Sequence, residues 1–448
     1  MPDPIPCCVL VPRPAEALVR YGLEELLRGL GRQPVWVRAP DATVVAGPGA
    51  EVEFARVPLA VSAAAIDGLL APALPHAPAT VDIEGTCWPL PVGTGAPGDV
   101  VASAAWWLAG LQERAVVARD EHGRVPFEAT LTARLGDAPG GPLQPPVDAY
   151  RRWLAGRLAA AGVSTERRRW RGAPWAVALT HDLDAVREQR VRGLVGEVAR
   201  GRPLQGLWRA LAPDRRRRSL AALAALSDRH GVRATWFVKP GAWAPEDVRQ
   251  RLDAEAVRRL RQLAADGHEI AWHPGHGAHD HPDRLATERQ RFEGAFGHAP
   301  RVARTHFLRW AEPATPRLLA QNGVRVDSSL GFSEHEGFRR GTSHPFRLFD
   351  HAADAPTPLW EVPLAVMDTT LHVHRGLDAD GQAAALARVF DAARHAGGCA
   401  VVLWHNDLGE GAPWSRRLRV LDHALGQARR DGATVGPVGA FATGAFGP

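Results

Sequence analysis

From residue 175 to the end of the chain, short apolar runs alternate with longer stretches of helical pattern. The strand-like runs are 175–181, 234–238, 268–273, 301–307, 324–329, 359–367, 399–404 and 434–438. Helix-like stretches fall at 254–265, 283–296, 313–322, 380–396 and 415–430, with an Arg-rich helical region between the first strand and Gly231. Strands separated by helices favour a parallel sheet, and six to eight such repeats favour a barrel. The sequence therefore predicts an α/β fold.

Five of these strands end in polar residues, although their interiors are apolar. The strand ends carry Asp182 and Asp184; His273, closely followed by His276 and His279; Arg304, His306 and Arg309; Asp327, Ser328 and Ser329; and His405, Asn406 and Asp407. Catalytic groups collect at the carboxyl ends of strands in barrels and open α/β sheets. We therefore expect these side chains to meet at one face of the sheet.

Carboxylate and imidazole ligands from separate strands suit zinc, or a similar divalent ion, with a water in an open position. Such an ion acidifies the water, which then attacks an acyl carbonyl. A free carboxylate can take the proton, an Arg can keep that carboxylate ionised, and a His across the site can protonate the leaving group. The residue types at the strand ends are thus typical of metal-assisted hydrolysis of an acyl bond.

Each of these side chains also has a purely structural interpretation. Asp184 is well placed to cap the following helix. His273 can be a satisfied core histidine, Arg304 a member of an ion pair, and His405 a strand-end residue bonded to Asp407. His181 should point away from its neighbours, because side chains alternate along a strand.

The chain length favours two domains, because 448 residues exceed one ordinary core. Residues 1–172 predict a smaller α/β or α+β accessory domain of unknown function, and residues 173–448 the barrel. The segment 170–174, with its glycine and proline, is the expected boundary.

Composition excludes several classes of protein. A net charge of +5 is small for this length and argues against nucleic acid as a partner. The four cysteines lack metal-like spacing and read as reduced thiols, which favours the cytoplasm. No run of apolar residues approaches the length that a membrane span needs, and we expect no signal peptide.

The motifs resemble those of the NodB-type polysaccharide deacetylases of carbohydrate esterase family four. The similar segments are Thr180-His-Asp-Leu-Asp184, Ala234-Thr-Trp-Phe-Val238, Gly267-His-Glu-Ile-Ala-Trp-His273, Arg304 and Val402-Leu-Trp-His405. Asp120-Glu-His-Gly-Arg124 and Arg304-Thr-His-Phe-Leu-Arg309 resemble a divergent bacterial branch with an additional N-terminal domain. We expect that domain to flank or partly cover the barrel without chemistry of its own.

The resemblance implies a distorted (β/α) barrel of about seven strands that removes an N- or O-acetyl group from a carbohydrate. It implies Asp182 as general base, Asp184 and His273 as metal ligands, Arg304 as support for the base and His405 as general acid. The implied cofactor is a divalent metal, Zn²⁺ first and Co²⁺ or Ni²⁺ as alternatives.

The chain departs from the family pattern at two points. The second metal histidine of the family lies four residues after the first, where this chain has Gly277. His276 and His279, three and six residues after His273, are the candidates for that ligand. The inserted Leu183 leaves open an exchange of roles between the two aspartates. The alternatives to a carbohydrate deacetylase are another C–N hydrolase on the same fold and an inactive barrel that binds glycans or acts as a scaffold.

Overall fold

The computed structural model describes residues 4–53, 55–186, 198–202, 204, 207, 214–247, 252–406 and 412–442. The predicted α/β class is confirmed: helices cover one parallel sheet and a second sheet that is parallel except at one pair of strands. Most of the Arg-rich region after the first barrel strand, together with Asp407, lies outside the described residues.

The N-terminal region is built on a four-stranded parallel sheet in the order β2-β1-β3-β4. Its strands are β1 (Ile5–Val9), β2 (Pro34–Trp36), β3 (Val44–Gly47) and β4 (Val57–Ala60), followed by the hairpin β5 (Ala79–Ile83) and β6 (Thr86–Leu90). Its helices are α1 (Arg13–Gly29), α2 (Gly49–Val52), α3 (Ala63–Leu70), α4 (Asp99–Leu108), α5 (Leu111–Ala115), α6 (Leu131–Leu135) and α7 (Pro146–Ala160).

The C-terminal region holds a ten-stranded sheet in the order β12-β13-β11-β10-β9-β8-β7-β15-β14, with β16 also paired to β7. The strands are β7 (Trp175–Leu183), β8 (Thr235–Val238), β9 (Glu269–Trp272), β10 (Val302–Ala303), β11 (Val326–Asp327), β12 (Phe346–Asp350), β13 (Ala355–Glu361), β14 (Leu364–Met367), β15 (Cys399–Leu403) and β16 (Ala433–Gly436). All pairs are parallel except β12–β13.

The helices that follow the barrel strands lie close to their predicted ranges. They are α8 (Arg215–Arg229), α9 (Ala254–Ala265), α10 (Pro282–Phe296), α11 (Ala314–Gln321), α12 (Ala379–Ala396), α13 (Ala412–Arg430) and the short α14 (Gly439–Ala442). Asp214, Asp253 and Asp378 cap α8, α9 and α12 by accepting a hydrogen bond from a first-turn N–H.

The strand predictions were wrong in two places that bear on function. The run 301–307 is a strand only at β10, after which His306–Leu308 forms a 3₁₀ turn. The run 359–367 is divided between β13 and β14, so a further strand end lies at Glu361.

Strand β7 is the centre of the C-terminal sheet. Its nine residues are all buried, with β15 along one edge and β16 and β8 sharing the other. A strand buried on both faces reads as a continuous apolar run, as this one does up to Thr180. The carboxyl end of β7 therefore delivers its polar residues to a site enclosed by protein.

One apolar core joins the two regions. Leu23 and Leu26 of α1 and Trp106 of α4 belong to the same cluster of buried side chains as Phe346 and Leu348 of β12. The division at residue 172 stays a prediction. Among the described residues, no helix has both the length and the apolar character needed to cross a membrane.

Candidate metal centre

Asp182 in β7 and Asp184 directly after it lie on the same side of the chain as Thr180. Residues 180, 182 and 184 alternate with His181 and Leu183, because side chains of a strand point to opposite faces in turn. His181 packs on Trp236 with 4.3 Å between ring centroids, and its Nδ1 lies 2.8 Å from the Trp404 carbonyl oxygen. The prediction that His181 points away from the aspartates is confirmed.

Asp184, His273 and His306 bring one ligand atom each to a common point. These atoms lie within 4.8 Å of one another, and they form the one metal-compatible group of three found among the described residues. The Asp184 Oδ1 atom is 3.1 Å from Nε2 of His306 and 3.7 Å from Nε2 of His273. Two imidazoles, each from a segment that follows a different strand, therefore converge on the carboxylate oxygen of Asp184.

Hydrogen bonds at the far side of each imidazole fix its tautomer. Nδ1 of His273 lies 2.6 Å from the Arg304 carbonyl oxygen, which only accepts, so this nitrogen carries the proton. Nδ1 of His306 likewise donates to the Asp247 carboxylate at 2.9 Å. In the neutral rings both Nε2 atoms therefore direct a lone pair toward Asp184, as in a histidine metal ligand with an oriented outer partner.

This arrangement fits a divalent cation. Oδ1 of Asp184 is buried and receives no hydrogen bond from the described part of the chain. Burial raises the pKa of Asp184, but His273 and His306 together hold it well below its usual range. An ionised carboxylate facing two imidazole lone pairs requires a positive charge among them, and two imidazoles with one carboxylate form a ligand set of catalytic zinc sites. A proton on His306, whose pKa is raised, is the alternative occupant.

Asp247 and Lys239 lie behind His306. Both side chains are fully buried, and Lys239 Nζ is 3.3 Å from Asp247 Oδ1. Asp247 also accepts the backbone N–H groups of Trp243 and His276. Burial raises the pKa of Asp247, but these donors, the His306 ring and Lys239 lower it overall, so the carboxylate stays ionised behind the imidazole.

Arg304 holds Asp182 in place. Its guanidinium is fully buried and donates to Asp182 Oδ1 at 3.0 Å and to the Thr180 hydroxyl at 2.8 Å. Its remaining donors bond to the backbone carbonyl and hydroxyl of Ser328, and it stacks over Phe237 at 4.4 Å. The second carboxylate oxygen of Asp182 is free to face the site, 3.8 Å from Nε2 of His273.

His405 is paired with Asp368. Its Nδ1 lies 2.6 Å from Asp368 Oδ1, and its backbone N–H donates to the other carboxylate oxygen at 3.2 Å. Burial lowers the pKa of His405, but the Asp368 carboxylate, with Asp184 and Asp182 beyond it, raises it to about 10. Its Nε2 then carries a transferable proton while Nδ1 is held by the carboxylate.

His276 and His279 lie outside the group of three. Nε2 of His276 is 3.3 Å from Nδ1 of His122, and its backbone N–H bonds to Asp247. Nδ1 of His279 is 3.3 Å from Asp280. The structure places His306, and not His276 or His279, beside Asp184 and His273, because the turn after β10 brings that ring there.

Three supporting residues escaped the sequence analysis. Asp368 directly follows both β14 and the predicted run 359–367, so the strand-end rule was a usable signal for it. Lys239 is the only lysine of the chain and follows a buried strand, which was a usable signal. Asp247 stands in an irregular loop, where no periodicity marks it.

Backbone strain accompanies the turn that presents His306. Phe307 and Leu308 both adopt left-handed conformations, with φ of 61° and 55°. For residues with side chains, each such conformation costs about 1–3 kcal/mol and persists only when surrounding contacts enforce it. The turn is therefore held by its neighbours and not by its own sequence.

Comparisons with known proteins give matches among solved structures only. No protein-family model matches the sequence, and the search of curated proteins gave no match. A candidate polysaccharide deacetylase from Mycobacterium smegmatis is 21% identical, with a TM-score of 0.43, over 61% of this chain and 91% of the other.

Two further structures match a similar share of the chain. A family 4 carbohydrate esterase from Streptomyces lividans is 14% identical over 59% of this chain and 99% of its own, with a TM-score of 0.31. A family 4 pseudoenzyme from Bacillus anthracis is 13% identical over 60% and 65%, with a TM-score of 0.34. These descriptions name the family that the motifs of this chain resemble.

Proposed function

We propose that this chain is a divalent-metal-dependent hydrolase that removes an N- or O-linked acetyl group from a carbohydrate. The observation that carries the proposal is the convergence of Asp184, His273 and His306, with both imidazoles fixed by their Nδ1 hydrogen bonds. Asp182 and His405 complete the set of groups required for acyl hydrolysis. The proposal assigns Asp184, His273 and His306 as metal ligands, with Zn²⁺, Co²⁺ or Ni²⁺ as the fitting ions.

A bound ion would acidify a water and polarise the acyl carbonyl of the substrate. Asp182 is the proposed general base, because its outer oxygen is available while Arg304 binds the inner one. The buried guanidinium at 3.0 Å fixes the orientation of the carboxylate. The outer oxygen of Asp182 is therefore placed to accept a proton from the attacking water.

His405 is the proposed general acid. The Asp368 carboxylate holds Nδ1 and favours the protonated ring, so Nε2 can donate to the departing amine or hydroxyl oxygen. The pairing resembles other histidines whose orientation and basicity are set by a buried carboxylate. With Asp182 as acceptor and His405 as donor, protons enter and leave the reaction through different residues.

The substrate and the location are part of the same proposal. A carbohydrate is supported by the motif resemblance, and the four free cysteines support a reducing compartment such as the cytoplasm. We make no distinction between N- and O-acetyl substrates, because both reactions need the same three groups.

Acetate release from a panel of acetylated sugars tests this function. The parent protein should release acetate only when loaded with Zn²⁺, Co²⁺ or Ni²⁺, and Asp182→Asn should lose about 10²- to 10⁴-fold in rate, since a general base contributes that much. Asp283→Asn, which changes an exposed carboxyl in the first turn of α10, is the matched control and should behave as the parent. A parent that binds metal but releases no acetate, or an active Asp182→Asn, would contradict the assignment.

A further inference from the structure

The N-terminal region contacts the turn beside the metal centre through a tight loop, residues Asp120 to Arg124, which we call the strap. Arg124 Nη1 donates to the carbonyl oxygen of Phe307 at 3.0 Å, and Arg309 Nε donates to the carbonyl oxygen of His122 at 2.8 Å. The strap thereby bonds to the residue directly after His306.

The ring of His122 contacts the same turn. It packs against Phe307 with 4.5 Å between centroids and against His276 at 5.4 Å. Phe307 in turn lies edge-on to His306, with centroids 4.7 Å apart. A line of contacts therefore runs from the N-terminal region through Phe307 to the imidazole of the metal centre.

The strap is rigid by its own hydrogen bonds. Asp120 accepts the backbone N–H groups of His122 and Arg124 at 2.9 and 2.8 Å, and it binds the Arg124 guanidinium at 2.7 Å. Gly123, with a φ of 77°, supplies the left-handed residue that so tight a loop requires. A pre-ordered loop can enforce a conformation on a neighbouring segment, whereas a flexible loop cannot.

We infer that the strap is a positioning device for the metal centre: Arg124 and His122 hold the left-handed turn at Phe307 and Leu308, and so place His306 beside Asp184. This inference rests on the proposed function, in which His306 is a metal ligand. It is compatible with the expectation that the N-terminal region has no chemistry of its own, since the strap acts through His306 without touching the substrate.

For a substitution of Arg124, electrostatics and positioning predict opposite changes in the affinity for a metal cation. Removing a cation near a metal centre should strengthen the binding of a cation, and the exposed charge of Asp120 would strengthen it further. A weakened affinity in Arg124→Ala is therefore not electrostatic in origin, and once general damage is controlled for it reports the lost placement of His306.

Cobalt titration of the metal-free full-length protein tests the inference, with the absorption spectrum of bound Co²⁺ as a report on its coordination. Arg124→Ala should weaken Co²⁺ binding by about tenfold or more and alter the spectrum, as loss of an outer partner of a ligand does. His122→Ala, which keeps the strap intact, should weaken it by a smaller factor, and it decides the question if Arg124→Ala fails to fold.

Two controls separate positioning from general damage. Arg134→Ala removes an exposed guanidinium elsewhere in the N-terminal region. Leu158→Ala opens a cavity in the buried core of that region and lowers its stability without touching the strap. Both should bind Co²⁺ as the parent does, although Leu158→Ala unfolds at lower urea concentration.

The inference is overturned if the strap variants bind Co²⁺ as tightly as Arg134→Ala, or if Leu158→Ala weakens binding as much as they do. A parent protein that binds no Co²⁺ would overturn the proposed function and the inference together. Equal affinities in parent and strap variants would overturn the inference alone.

Discussion

At the scale of single residues, the candidate site depends on which nitrogen of each histidine carries a proton. His273, His306 and His405 are each fixed at Nδ1 by a backbone carbonyl or a carboxylate. For His273 and His306 this leaves a lone pair at Nε2, suited to a metal. For His405 the facing carboxylates raise its pKa, so the same arrangement supplies a proton donor. One kind of contact thus gives two chemical roles, depending on the charge around the ring.

The pKa of His405 gives a prediction for Asp368→Asn. In the metal-free parent protein the pKa of about 10 keeps His405 protonated well above pH 8, and the variant should shift it down toward the ordinary value of about 6.5. Two-dimensional NMR of the histidine ring signals across pH 5–11 would measure this directly. Asp391→Asn, at an exposed carboxyl on α12, is the control.

The sign of the accompanying stability change follows from linkage. A pKa raised in the folded protein contributes stability that is fully present below about pH 6.5 and is lost as pH rises through about 10. The parent should therefore exceed Asp368→Asn in free energy of unfolding most at pH 6, and the difference should shrink as the pH rises from about 6.5 to about 10. A difference that grows with pH would refute the pairing of His405 with Asp368.

At the scale of elements, the site is made by strand ends and one enforced turn. Strand β7 carries Thr180 and Asp182 on one side, and the Thr180 hydroxyl bonds both to Arg304 and to the Val402 carbonyl of the neighbouring β15. This single hydroxyl couples the position of the arginine to the register of the central strands. Thr180 therefore helps to hold Asp182 in position through its hydrogen bonds to Arg304 and to β15.

Substitution Thr180→Val keeps the shape of the side chain and removes its two hydrogen bonds. Because an acceptor of Arg304 and a donor to Val402 are both lost in a buried place, the free energy of unfolding should fall by about 1–3 kcal/mol. The rate of acetate release should fall as well, since Asp182 loses part of its orientation. Urea denaturation and the activity assay measure these effects.

Thr287→Val serves as the matched control for that variant. The Thr287 hydroxyl donates to a carbonyl of its own helix α10, at the protein surface, so little should change. If Thr180→Val were as stable and as active as Thr287→Val, the proposed coupling between β7, β15 and Arg304 would be wrong.

Local pattern explains which parts of the site the sequence could predict. Asp182, Asp184, His273 and His405 follow apolar runs long enough to be read as strands, so their common face followed from parallel pairing. His306 follows a strand of only two residues, and its direction is set by a left-handed turn that the strap of the N-terminal region contacts. Such a position depends on tertiary contacts and leaves no periodicity in the sequence.

At the scale of the whole molecule, buried polar contacts fasten the N-terminal region to one segment of the barrel, residues 339–343. Glu113 of α5 bonds to Arg339 at 2.7 Å and to Arg340 at 2.6 Å. Asp148 of α7 accepts the hydroxyl groups of Thr342 and Ser343, each at 2.6 Å. Together with the shared apolar core, these contacts make independent unfolding of the two regions unfavourable.

Unfolding in urea should therefore be a single transition, and Asp148→Ala should lower its free energy by about 3–5 kcal/mol. The reason is that the variant leaves the buried Arg151 guanidinium without its carboxylate, which is 2.5 Å away in the parent. Tryptophan fluorescence reports on the whole chain and bound Co²⁺ absorbance on the metal centre, so the two should change together in parent and variant. Asp391→Ala, which breaks only an exposed pair with Arg394, should cost no more than about 1 kcal/mol. If instead the cobalt signal were lost only after the fluorescence change, and Asp148→Ala shifted only the fluorescence change, the two regions would unfold separately.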